Sequence, residues 1–122
     1  MIIGSNFVDF ISGLKGNDKI NGQAGNDDVC GDEGNDTING AAGDDRLIGD
    51  DSLCKSSLGP IFGADNLAGG PGNDVLVHGT AWRSDADGNK DILDCGSGLD
   101  TAFANITIDH DVVTNCEQIN PP

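Results

Sequence analysis

Residues 13–48 read GLKGNDKIN GQAGNDDVC GDEGNDTIN GAAGDDRLI, four consecutive segments of nine. Position 1 of each segment is Gly (Gly13, Gly22, Gly31, Gly40), position 4 is Gly (Gly16, Gly25, Gly34, Gly43) and position 6 is Asp (Asp18, Asp27, Asp36, Asp45). Position 8 is aliphatic throughout: Ile20, Val29, Ile38, Leu47. Side chains recur on one face every 3.6 residues in a helix and every 2 in a strand. A beat of nine is neither, and a fixed period marks an architecture of stacked units.

The frame extends in both directions. Upstream, GSNFVDFIS (4–12) keeps Gly4, Asp9 and Ile11 but has Phe7 at position 4. Downstream, GDDSLCKSSLG (49–59) reads as an eleven-residue rung with Ser52 for Gly and Cys54 where Asp belongs, an insertion into the series in which Asp50 or Asp51 substitutes. PIFGADNLA (60–68) and GGPGNDVLV (69–77) resume with Asp65 and Asp74, then Leu67 and Leu76. A second insertion, HGTAWRSD (78–85), carries the single Trp, Trp82, read as a cover for that excursion. ADGNKDILD (86–94) and CGSGLDTAF (95–103) follow with Asp91 and Asp100, and Asn89 stands at a position 4. With Asp at 19 of 122 places, five in a row at one column have a chance of about one in ten thousand.

The formal charge of −15 with six Lys+Arg excludes nucleic acid as a partner, because phosphate binding needs a basic face. It argues equally against anionic membranes, and no apolar run reaches the ~18 residues of a membrane span. Scarce aromatics and abundant Gly would suit a disordered chain, but disorder requires no strict period. The start, MIIGSNFVDFIS, lacks a basic n-region and a long apolar stretch, so it does not read as a signal peptide. No cysteine pair has C-x-x-C spacing, and His78 and His110 stand far apart and read as surface residues, so no zinc site is expected. Four cysteines permit three connectivities; shorter loops favour Cys30–Cys54 and Cys95–Cys116, with unpaired thiols as the alternative.

Nine residues accommodate a three-residue strand, its middle side chain inward, and a six-residue Gly-rich turn. Two units close one coil, and coils stack as parallel sheets about 4.8 Å apart. Rung n then lies over rung n+2, which puts Asp9, Asp27 and Asp45 on one edge and Asp18 and Asp36 on the other. Carboxylates stacked that closely repel unless a cation lies between them. Calcium takes six to eight oxygens, carboxylate and carbonyl alike, whereas magnesium wants a stricter octahedron. The core is one aliphatic side chain per rung, so the cation is expected to supply much of the folding free energy. The tail, 104–122, with alternating Ile106 and Ile108, reads as one or two strands capping the stack. The chain is therefore expected to be a single all-β domain, 1–122, with a parallel β-roll (β-solenoid) over 4–103 and a cap beyond it.

GGPGNDVLV matches G-G-x-G-x-D-x-U-x in full, and over residues 4–103 the chain resembles the RTX, or hemolysin-type, calcium-binding family. The resemblance implies a right-handed parallel β-roll with several Ca2+ ions held between turns by position-6 aspartates and turn carbonyls. Carried over, those aspartates are Asp9, Asp18, Asp27, Asp36, Asp45, Asp65, Asp74, Asp91 and Asp100. A second acidic loop, DADGNKDILD (85–94), is similar to those of thrombospondin type 3 repeats, and would hold an ion through Asp85, Asp87 and Asp91. The family's habit implies a secreted, extracellular or cell-surface location. There is no H-E-x-x-H and no G-x-S-x-G, so a non-catalytic calcium-binding module is expected. The alternatives are the C-terminal portion of a secreted enzyme or toxin, and a surface adhesin with a protein or glycan partner. An ice binder would need a Thr array, but the outward positions read Lys19, Asn21, Asp28, Cys30, Thr37 and Asn39.

Overall fold

The computed structural model describes residues 1–50, 63–78, 88–104 and 110–120. Among them are twelve strands and no helix. Six form one parallel sheet: β1 (Ile2–Ile3), β3 (Lys19–Ala24), β5 (Thr37–Ala42), β7 (Asn66–Pro71), β9 (Ile92–Ser97) and β11 (Val112–Thr114). The other six form a second: β2 (Phe10–Ser12), β4 (Asp28–Cys30), β6 (Arg46–Ile48), β8 (Val75–Val77), β10 (Thr101–Phe103) and β12 (Gln118–Ile119). The chain alternates between the sheets, one strand in each per coil, so every neighbour in a sheet belongs to the coil before or after.

Register follows the position-8 aliphatics. In the first sheet Ile2, Ile20, Ile38, Leu67, Leu93 and Val113 stand in one row. In the second the row is Ile11, Val29, Leu47, Leu76, Ala102 and Ile119. These rows face each other and supply most of the main core, joined by Cys95 and Ala104. A one-residue slip would turn each row to solvent, so the alternation fixes the pairing.

The register corrects the reading of 49–59 as a rung. Were it one, Leu67 would lie over Leu47; instead Leu67 pairs with Ile38 and Leu76 with Leu47. The coil that begins at Gly49 resumes at Gly63, where an added Cβ would strike the Gly34 carbonyl, the collision that Gly34 itself would make with Gly16. The extra eleven residues therefore lie inside one rung, and the aspartate column has no gap there. Residues 51–62, including Ser52 and Cys54, lie outside the described residues, as does Trp82.

The tail closes the stack with two strands that continue the coiling, β11 parallel to β9 and β12 parallel to β10. A Cys95–Cys116 disulfide ties it to the coil below; Ile106 and Ile108 lie outside the described residues. Cys30, read as outward, is buried with Ile48 and Val77 in a second apolar cluster against Val75 and Phe103. Position 9 of the second sheet is thus covered at Cys30, Ile48 and Val77, whereas Asn39 in the first is exposed. Cys30 is disulfide-bonded, and the other half of the expected Cys30–Cys54 pair lies outside the described residues.

Candidate metal centre

Each rung turns from its Gly-rich segment into its strand at the position-6 aspartate. There the carboxylate points along the stack, and Oδ1 accepts the backbone N–H of the aspartate one coil earlier. On one edge Asp9 donates to Asp27, Asp27 to Asp45, Asp45 to Asp74 and Asp74 to Asp100, at 2.7–2.9 Å. On the other Asp18 donates to Asp36, Asp36 to Asp65 and Asp65 to Asp91, all at 2.8 Å. All nine position-6 aspartates are thereby brought into two ladders, five on one edge and four on the other.

The second oxygen is the informative one. Oδ2 of Asp18, Asp27, Asp36, Asp45, Asp65, Asp74, Asp91 and Asp100 is buried and has no hydrogen-bond partner. Asp9 differs, because Ser5 donates to its Oδ2 from both its N–H and, at 2.9 Å, its hydroxyl. A buried carboxylate oxygen without a donor is costly, and here it recurs once per rung. The position-1 glycines explain the space around it. A Cβ on Gly22 would fall on Asp27 Oδ2 and lie 2.8 Å from the Gly40 carbonyl. Gly31 stands likewise against Asp36, Gly40 against Asp45, Gly49 against Asp65 and Gly69 against Asp74. At Gly22, Gly49 and Gly69 a carboxylate oxygen and a carbonyl oxygen share one glycine-sized space, the hard oxygen mixture that calcium takes.

The electrostatics agree. Burial, above all, raises the carboxyls of Asp36 and Asp45 above 3.8, with the neighbouring aspartates adding to it. Asp74 is pushed up to about 6 and Asp65 to about 8, burial again leading in both. Carboxylates one coil apart repel by about 3 kcal/mol in a medium of dielectric ~20. Without a cation the edges favour protons; a divalent ion competes for the same oxygens.

Several residues join the edges that sequence reasoning left out. Asp111 and Glu117 end the ladders in the tail, accepting the N–H of Asp91 at 3.0 Å and of Asp100 at 2.9 Å. The period breaks there, so only the stacking reveals them. Asp32, at position 2, is fully buried with Oδ1 unpartnered and stands close enough to Asp36 to raise its pKa. Asp50, expected to substitute at position 6, instead stands at position 2 of the Asp65 rung, buried, and raises the Asp65 pKa. The asparagine of Gly-Asn-Asp links coils through its side chain. Asn17 Oδ1 accepts from Asn35, Asn35 from Ala64, Asn26 from Asp44 and Asn73 from Leu99, each at 3.0 Å. His78 is not a surface residue as expected; it is buried, with Nδ1 3.5 Å from Asp91 and from Asp111. His110 is exposed. Asp85 and Asp87 lie outside the described residues.

A family model for the RTX calcium-binding nonapeptide repeat matches residues 3–38, 31–52 and 62–80, in four copies covering more than half of the chain. The chain belongs to the RTX calcium-binding nonapeptide repeat family. The two parallel sheets are accordingly those of an RTX β-roll, a calcium-binding structural repeat. No curated protein and no solved structure matches the chain. No helix among the described residues is long and apolar enough to cross a membrane.

Proposed function

We propose that this RTX chain is an extracellular module that binds several Ca2+ ions along both edges of its roll and folds with them, serving a structural or interaction role. On this reading Asp27, Asp45, Asp74 and Asp100 hold ions on one edge, and Asp18, Asp36 and Asp65 on the other, each with turn carbonyls. Asp9, whose Oδ2 is already bonded by Ser5, contributes least. The observation that carries the reading is the recurrence of a buried, unpartnered Oδ2 beside a glycine that leaves room for no side chain. A location outside the cell agrees with the family's habit and with paired cysteines, which persist in oxidising surroundings. Neither H-E-x-x-H nor G-x-S-x-G occurs to compete for these carboxylates.

Equilibrium dialysis with Ca2+ tests the assignment. The 122-residue chain takes up several ions, and Asp45→Asn lowers the number bound at a fixed sub-saturating concentration. An Asp45→Asn chain that binds as many ions as tightly as the parent would remove the position-6 carboxylates from the calcium sites.

A further inference from the structure

His78 stands where the preceding coils of its column have glycine, Gly13, Gly31 and Gly49. Gly31 donates to the Ile48 carbonyl at 2.9 Å, Gly49 to Val77 at 2.9 Å and His78 to Phe103 at 3.0 Å, so the three occupy one column, position 1 of successive coils. At Gly31 and Gly49 a Cβ would be driven onto the Oδ2 of the rung's own aspartate, Asp36 or Asp65. At His78 that place is taken by an imidazole, and its Nδ1 lies 3.5 Å from Asp91 Oδ2 and 3.5 Å from Asp111 Oδ2. All three side chains are buried, and their donor atoms lie within 4.8 Å of one another. Each carboxylate is held by its other oxygen: Asp91 Oδ1 accepts from Asp65 at 2.8 Å, and Asp111 Oδ1 from Asp91 at 3.0 Å. Asp91 Oδ2, in a residue with 0% exposure, accepts no hydrogen bond.

The separations discriminate between two kinds of contact. An N–H···O hydrogen bond closes to about 2.7–3.2 Å, so 3.5 Å is too long. Two donors each about 2.0–2.1 Å from one tetrahedral ion stand about 3.4 Å apart. Calcium is bound by oxygen, whereas an imidazole nitrogen with two carboxylates suits a borderline ion such as zinc. We propose that His78, Asp91 and Asp111 form a binding site for one transition-type divalent cation, with Zn2+ the best fit, on the last complete coils of the roll. Among the described residues three donors converge, which leaves the fourth position of a tetrahedral ion open. Asp91 thereby belongs to this mixed site rather than to the all-oxygen edge. The period of nine hid the site, because His78 opens the rung that the 78–85 insertion interrupts and Asp111 lies beyond the repeats.

The test is Zn2+ titration of the full chain in saturating Ca2+, by calorimetry, with Co2+ as an optical probe. One Zn2+ binds per chain, and bound Co2+ shows the intense visible bands of a tetrahedral ion. His78→Gly restores the glycine of the column, so the calcium-loaded circular dichroism spectrum is kept while Zn2+ affinity falls by roughly 100-fold or more, beyond the 10–100-fold cost of outer-shell changes. Asp111→Asn keeps the acceptor for the Asp91 N–H and removes an anionic donor, so it weakens Zn2+ without relying on the glycine replacement. His110→Ala, at an exposed residue, leaves Zn2+ binding unchanged. No Zn2+ uptake by the parent chain in saturating Ca2+, or parental affinity in both His78→Gly and Asp111→Asn, overturns the site. Because calcium is saturating throughout, either result leaves calcium-dependent folding to be judged separately.

Discussion

Asp65→Asn should change the stability of this protein in opposite directions with and without calcium. Asp65 is 1% exposed; its Oδ1 accepts the Asp36 N–H at 2.8 Å and its Oδ2 has no hydrogen bond. Burial first, then the charge of Asp50, raises its carboxyl from 3.8 to about 8, against the Asp36 hydrogen bond, which lowers it. At pH 7 without metal, the folded coil must therefore hold a proton that the unfolded chain releases. At about 1.4 kcal/mol per pH unit below neutrality, that proton costs roughly 4 kcal/mol. Asparagine keeps the Oδ1 acceptor and needs no proton. Its amide N–H2, placed where Oδ2 was, costs at most about 1–3 kcal/mol if unpaired. The net is a gain of about 1–3 kcal/mol in chelator, visible as more β signal by circular dichroism. In calcium the same change removes an anionic donor, and Ca2+ affinity falls by roughly tenfold or more, about 1.4 kcal/mol. An Asp65→Asn chain that loses structure equally in chelator and in calcium, or that keeps parental calcium affinity, refutes the reasoning.

The same buried acids set a pH dependence. Their folded pKa values lie above 3.8, Asp74 at about 6 and Asp65 at about 8, so the metal-free roll binds more protons than the unfolded chain. Its stability is greatest near pH 4 and falls as pH rises through about 6 and about 8; a circular dichroism series in chelator showing more β structure at pH 8 than at pH 5 contradicts this. In calcium the trend reverses, because protons and Ca2+ compete for the same oxygens. Ala41 holds φ 77° at position 2, where an L-residue costs about 1 kcal/mol; after the unfolded-chain entropy of glycine is counted, Ala41→Gly raises calcium-loaded stability by about 0.5 kcal/mol in urea melts. Gly34→Ala does the opposite: at φ 129° its Cβ would enter the Gly16 carbonyl, costing about 3 kcal/mol or more. Asp18→Ala and Asp36→Ala, joined at 2.8 Å on one edge, couple by about 0.5–3 kcal/mol in a double-mutant cycle, whereas Asp18→Ala and Asp27→Ala, on opposite edges, add.

What the sequence discloses here is whatever the period discloses. Gly, Asp and an aliphatic residue at fixed columns determine the inward rows from Ile20 to Leu93 and from Ile11 to Ala102, the two aspartate edges and the parallel stacking, because each coil imposes the same steric and polar demands. The insertion at 49–59 misled a count made along the chain, since eleven added residues resemble a long rung; only Gly49 facing Asp65, and Gly63 over Gly34, show where the coil resumes. Asp111 and Glu117 escaped for the converse reason. The last coil is stacked in space without keeping the nine-residue spacing, and one acceptor for the Asp91 or Asp100 N–H is all the ladder needs. His78 looked isolated because its partners are 13 and 33 residues away, and a lone histidine carries no spacing signal.

The central claim is that calcium on these edges folds the roll. Circular dichroism of the full chain at neutral pH, begun in excess chelator and titrated with Ca2+, measures it most directly. Little β signal is expected in chelator, with a steep, saturable rise to the full β spectrum on adding calcium, reversed on adding chelator back. A full β spectrum in excess chelator, unchanged by calcium, would contradict it.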